Sequence, residues 1–71
     1  YTLRYKSFLD RLKAARLEAE LTQVQVAARL GVPQSFISKC ESGERRGDVV
    51  ELLDFAEAYG KSLMYFVEFE N

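Results

Sequence analysis

The sequence predicts an all-α fold, a compact bundle of four to five short helices. Three observations predict it. Apolar residues recur at spacings of three and four, the helical period, rather than in the alternation of a half-buried strand. Pro33 is the one proline, and runs of β-branched residues are short. Gly31, Gly43 and Gly60 each follow a helical stretch, where a left-handed residue closes a helix without steric cost. With 71 residues there is room for one core, so residues 1–71 are read as a single domain. An apolar fraction of 48% and a net charge of −1 exclude a disordered chain.

The first helix is expected over about 5–19. Tyr5, Phe8, Leu9, Leu12, Ala15 and Ala19 form its apolar stripe, and Arg11, Lys13 and Arg16 lie mostly off it. The second opens at a capping box, Thr22 with Gln25, flanked by the staple pair Leu21 and Val26, and runs Gln23–Leu30. Pro33 can start the third, where its missing N–H is not needed, over about 34 to 41 or 42. The stretch 42–47 is loop by composition. A second capping box, Asp48 with Glu51, opens a fourth helix that Gly60 stops. Ser62 is a suitable N-cap for a short fifth helix over 63–70, although Met64-Tyr65-Phe66-Val67 also suits a strand.

Composition removes several function classes. A single cysteine, Cys40, excludes an internal disulfide and a cysteine-based zinc site. With no histidine, imidazole acid–base chemistry is absent too, and no other side-chain set supports catalysis, so neither an enzyme nor a cofactor is expected. No run of about 18 apolar residues exists to span a membrane, and no leader is seen. One cysteine fits a reducing cytoplasm. The chain begins at Tyr1 rather than Met, which leaves a longer parent protein open. Charge is segregated: residues 1–46 carry nine cations and five anions, +4, whereas 47–71 carry one and six, −5. A polyanion needs local positive potential, not a positive total.

Residues 23–42 then read as two short helices joined by a tight turn. Ala27 permits close crossing, Gly31 supplies the turn, and Val26, Leu30, Val32 and Ile37 face one another across the angle. This is a helix-turn-helix, whose second helix can lie in the DNA major groove. The stretch Leu21-Thr-Gln-Val-Gln-Val-Ala-Ala-Arg-Leu-Gly-Val-Pro-Gln-Ser-Phe-Ile-Ser-Lys-Cys-Glu-Ser-Gly-Glu-Arg-Arg resembles the Cro/cI-type (XRE-like) helix-turn-helix family of phage repressors and bacterial regulators. With the flanking helices the resemblance covers about residues 5–63. It implies a five-helix bundle of phage-repressor type and binding to duplex DNA. Three residues depart from the family pattern: Glu20 at a left-handed position usually held by Gly or Asn, Pro33 in place of a Ser or Thr cap, and Cys40 in place of a larger apolar residue.

Helical geometry defines the reading face. Ile37 and Cys40 share one side of the third helix with the inner edge of Glu41; Gln34, Ser35, Ser38 and Lys39 share the other. An amide, two hydroxyls and an ammonium can all hydrogen-bond base edges, and the resemblance implies base reading from these positions, with Gln34, Ser35 and Lys39 first and Ser38 after them. Gln23 heads the second helix, where free N–H groups and the dipole favour phosphate. Ser42, Arg45 and Arg46 follow the third helix and are expected over a phosphate strand, with Lys13 as a further candidate. The resemblance also implies an ion pair between Arg16 and Glu41, tying the first helix to the third. Cys40, on the inward side, is read as packing.

The tail carries the last expectation. Six of the seven residues 63–69 are apolar, more than one side of a short helix can bury. Leu63 with Phe66 or Val67 is expected to face the bundle. A two-fold interface is expected within 62–71, drawn from Met64, Tyr65, Phe66 and Phe69. The resulting reading is a cytoplasmic, bacterial or phage-encoded homodimer that recognises a palindromic operator in double-stranded DNA with residues 34–41. The alternative is a protein-interaction module, such as an antitoxin, with DNA binding secondary or absent. No effector, operator or direction of regulation can be read from these residues.

Overall fold

The computed structural model describes residues 2–68. Five helices follow in order: α1 (Leu3–Glu18), α2 (Gln23–Leu30), α3 (Gln34–Ser42), α4 (Val49–Tyr59) and α5 (Leu63–Val67). No strand occurs among the described residues. Helix α1 starts two residues earlier than its apolar stripe suggests, because the Tyr5 amide donates to Thr2 Oγ1 at 3.1 Å and Thr2 caps the helix. It closes at Glu20, whose φ of 58° is left-handed and costs about 1–2 kcal/mol for a residue with a Cβ.

Both capping boxes form. The Gln25 amide donates to Thr22 Oγ1 and Thr22 N–H to Gln25 Oε1, at 3.1 and 2.8 Å. Asp48 and Glu51 repeat the exchange at 2.8 and 3.0 Å. Gly31 turns the chain at φ 69°, and the Val32 amide reaches back to the Ala27 carbonyl. That closure leaves only Val32 and Pro33 before α3 begins, which gives the short angled link of a helix-turn-helix.

The core lies where α1, α3, α4 and α5 converge, around Leu12, Ala15, Ile37, Phe55, Ala56 and Phe66, with Val26 and Ala27 of α2 closing one side. Ile37 and Cys40 point inward from α3, as the helical period requires. Tyr59 is buried here against Phe55, ring centroids 5.9 Å apart, and its hydroxyl has no hydrogen-bond partner among the described residues. Burial pushes that hydroxyl's pKa up, and the charge of Glu41 adds to the shift. An unsatisfied buried hydroxyl costs about 1–3 kcal/mol, so Tyr59→Phe is expected to hold or raise the urea midpoint. A loss above about 1 kcal/mol would mean the hydroxyl has a partner after all.

Helix α5 is shorter than expected. It ends at Val67, and Glu68 is already extended, at φ −81° and ψ 99°. Ser62 stands at the N-cap, but its side chain makes no cap bond. What holds α5 is Phe66, which is fully buried, and a polar clasp around Tyr65. Arg11 Nη1 donates to the Tyr65 carbonyl at 2.7 Å. Lys61 lies over the Tyr65 ring at 4.6 Å and pairs with Glu18 at 2.8 Å. The Lys61 hydrogen bond and charge hold the Glu18 carboxyl below its ordinary range.

These contacts correct the expected dimer surface. Phe66 has no exposed area and belongs to the core of its own chain, so it is not available to a partner. Tyr65 is half-buried within the clasp. Met64 and Val67 are the apolar α5 side chains left exposed. Phe69 lies outside the described residues.

Candidate nucleic-acid interface

The outer side of α3 carries Gln34, Ser35, Ser38 and Lys39, all exposed, opposite buried Ile37 and Cys40. Helix geometry alone brings the four polar side chains to one face, and the fold leaves that face uncovered. A relay of side chains fixes its leading end. Gln34 Nε2 donates to Gln23 Oε1 at 3.0 Å. Gln23 Nε2 in turn donates to Glu41 Oε1 at 3.1 Å. The head of α2 is thereby joined to both ends of α3.

The relay is anchored by Arg16. Its Nε and Nη2 donate to the two Glu41 oxygens at 2.7 and 3.1 Å, a two-pronged pair. Its Nη1 donates to the Leu21 carbonyl at 2.9 Å. Side-chain exposures of 9% and 6% put the pair in the interior rather than on the rim. The Glu41 hydrogen bond, working against desolvation, raises the Arg16 pKa above its ordinary value, so the guanidinium stays charged. The tie that the resemblance implied between α1 and α3 is therefore present, with the Leu21 carbonyl added to it. That last bond follows from the left-handed turn at Glu20, which brings the carbonyl round to α1.

The loop after α3 is more tightly held than its composition suggests. Arg45 forms a two-pronged pair with Glu51, 2.9 and 3.0 Å, and lies over the Phe36 ring at 4.4 Å. Donating these hydrogen bonds to Glu51 raises the Arg45 pKa, and accepting them lowers that of Glu51. Arg45 thus stands in the expected loop with its charge already matched, and it serves to fasten the loop to α4. The sequence signals only the capping role of Glu51, whereas Glu51 Oε1 serves both the cap and the ion pair. Ser42 Oγ donates to the Lys39 carbonyl at 3.2 Å and accepts from the Glu44 amide at 3.4 Å, so it finishes α3. Arg46 lies over the Tyr5 ring at 4.2 Å and forms no ion pair among the described residues. Lys13 is exposed on α1. Among the described residues, no group of acidic, cysteine or histidine side chains could hold a metal ion, and no helix is long and apolar enough to cross a membrane.

Comparison with known proteins agrees with this geometry. A family model described as a helix-turn-helix domain matches residues 7–62. The uncharacterized HTH-type transcriptional regulator y4dJ of Sinorhizobium fredii is 43% identical over 47 residues, 66% of this chain and 61% of that protein. The chain therefore matches under two thirds of that relative's length. An XRE-family like protein from Pseudomonas syringae pv. tomato superposes with a TM-score of 0.82 at 49% identity, covering 89% of this chain and 77% of the other. A match over most of the chain, the relay between α2 and α3, and the tie to α1 lead to one assignment: the chain belongs to the XRE-like helix-turn-helix family.

Proposed function

We propose that this chain is the DNA-binding domain of a sequence-specific transcriptional regulator, bacterial or phage-encoded, acting without catalysis in the cytoplasm. The observation that carries the reading is the exposed polar face of α3 with its leading residue locked in place by Gln23. Gln34, Ser35, Ser38 and Lys39 meet base edges in the major groove. Gln23, Arg46, Ser42 and Lys13 meet phosphate, and Arg45 braces the loop that presents Arg46. The Sinorhizobium fredii relative, named as a transcriptional regulator, supports the same class.

Selection of bound duplexes from a random pool, followed by anisotropy titrations at several salt concentrations, tests it. Gln34→Ala or Lys39→Ala should weaken the preferred duplex by about 1–3 kcal/mol and relax preference near one position. Arg46→Ala should weaken all duplexes alike and reduce the salt slope by about one. Arg45→Ala should act mainly on stability, since its charge is matched by Glu51. Unchanged binding in the Gln34, Lys39 and Arg46 variants together would remove this face from the account.

The regulator is proposed to act as a homodimer on a palindromic site, with Met64 and Val67 as the apolar contribution of α5. Sedimentation equilibrium decides: a chain that stays monomeric at tens of micromolar, and binds its selected duplex as one copy, is not a dimer. Val49, Val50 and Leu53 form a second exposed apolar group on α4 and favour the other reading, a module that binds a partner protein. A random pool that yields no enriched sequence would select that reading.

A further inference from the structure

A cavity of about 150 Å³ opens behind α3, between α1, the 42–48 loop and α4. Its walls are the rings of Tyr5, Phe8 and Phe55 with Leu12 and Leu52, and Cys40 of α3 forms part of the lining. Cys40 is a short side chain in that lining, and a larger apolar residue there would reach into the cavity. A dry apolar cavity of about this volume takes up benzene in an engineered protein. The cavity is half open, and beside its mouth runs a groove that shares Tyr5, Phe8 and Gly47 with it and is also lined by Arg4 and Arg46. Neither arginine has an ion-pair partner among the described residues. The acidic groups at the rim are already engaged: Glu51 is paired with Arg45, and Asp48 caps the Glu51 amide.

From this arrangement we infer that the cavity is a binding site for a small aromatic monocarboxylate, with the ring among Tyr5, Phe8 and Phe55 and the carboxylate at Arg46. The site is distinct from the reading face and rests on the DNA-binding reading only for its consequence. Arg46 is there a phosphate contact, so a carboxylate on its guanidinium competes with DNA, and the ligand weakens DNA binding. Volume selects a single ring, and the adjacent unpaired cations select an anion over a neutral hydrocarbon.

Phenylacetate is the probe, with toluene supplying the ring alone and acetate the charge alone. Calorimetry and amide-shift mapping on the 71-residue chain should show phenylacetate binding with a Kd on the order of 1 mM, shifting amides of Phe8, Cys40 and Phe55. Cys40→Leu, checked for folding by circular dichroism, fills the space and should abolish binding. Arg46→Gln changes an exposed side chain and keeps the test decisive if the filled variant does not fold. It should weaken phenylacetate roughly fivefold and leave toluene unchanged. Absence of cavity shifts with 10 mM phenylacetate, or equal binding to folded Cys40→Leu, overturns the site. Equal affinity for toluene and phenylacetate, with no effect of Arg46→Gln, overturns the carboxylate assignment. In anisotropy, phenylacetate should weaken DNA binding by the parent chain and not by Cys40→Leu; bound ligand without that loss overturns the coupling. A chain that binds no DNA overturns the DNA-binding reading and its coupling, while calorimetry still decides the cavity.

Discussion

Replacing Arg16 with alanine is expected to destabilise the domain by about 3–5 kcal/mol. The reason is what the deletion leaves behind. Glu41, whose side chain is only 6% exposed, would lose both guanidinium donors and keep Gln23 alone as a side-chain donor. The Leu21 carbonyl would lose its Arg16 donor as well. A domain of this size holds about 4–10 kcal/mol in total, so the variant should lose a large fraction of its stability. Arg16→Lys should recover only part of the loss, because an ammonium cannot make the two-pronged contact. Replacing Arg16 and Glu41 together by apolar residues of similar volume should cost less than either single deletion. A double-mutant cycle by urea unfolding measures this, and a coupling energy near zero would refute it.

Phe66→Ala should cost a similar amount, about 3–5 kcal/mol, by emptying a fully enclosed site. A five-residue helix has no stability of its own, so α5 persists only through what it buries and what clasps it. Removing the ring should loosen the Arg11 bond to the Tyr65 carbonyl too, since Arg11 reaches a helix that Phe66 holds in place. Met64→Ala, two residues away on the exposed side, should stay within about 0.5 kcal/mol. Urea melts of the two variants separate the readings. Equal losses would mean that α5 is not oriented with Phe66 inward.

Features set by neighbours in sequence were legible beforehand. The two capping boxes and the turn at Gly31 each depend on a few adjacent residues, whereas the left-handed Glu20 follows from the family resemblance and not from its neighbours. The inward side of α3 followed from its period. Thr2 caps α1 alone, without the acid or amide three residues on that makes a box recognisable, so the sequence marks no exact start for this helix. Side-chain meetings across the fold were hidden. Arg45 and Glu51 are six residues apart across a loop, a separation that no helical rule connects. In α5, apolar residues on every side leave the period able to narrow the inward residue only to Phe66 or Val67, and it is the packing of α1 and α4 against α5 that selects Phe66.

The lock between Gln34 and Gln23 also has an entropic consequence. A free glutamine side chain loses rotamer freedom worth up to about 2 kcal/mol when it is immobilised. Ser35, Ser38 and Lys39 stand exposed, so any ordering they undergo falls at the moment of association. Gln34 is already ordered as the domain folds, and so is the amide of Gln23 that holds it. Gln23→Ala should therefore weaken association twice, through the heat of its own phosphate contact and through a less favourable entropy at Gln34, which titration calorimetry on a selected duplex separates. A loss carried wholly by enthalpy would mean that the bond to Gln23 does not order Gln34.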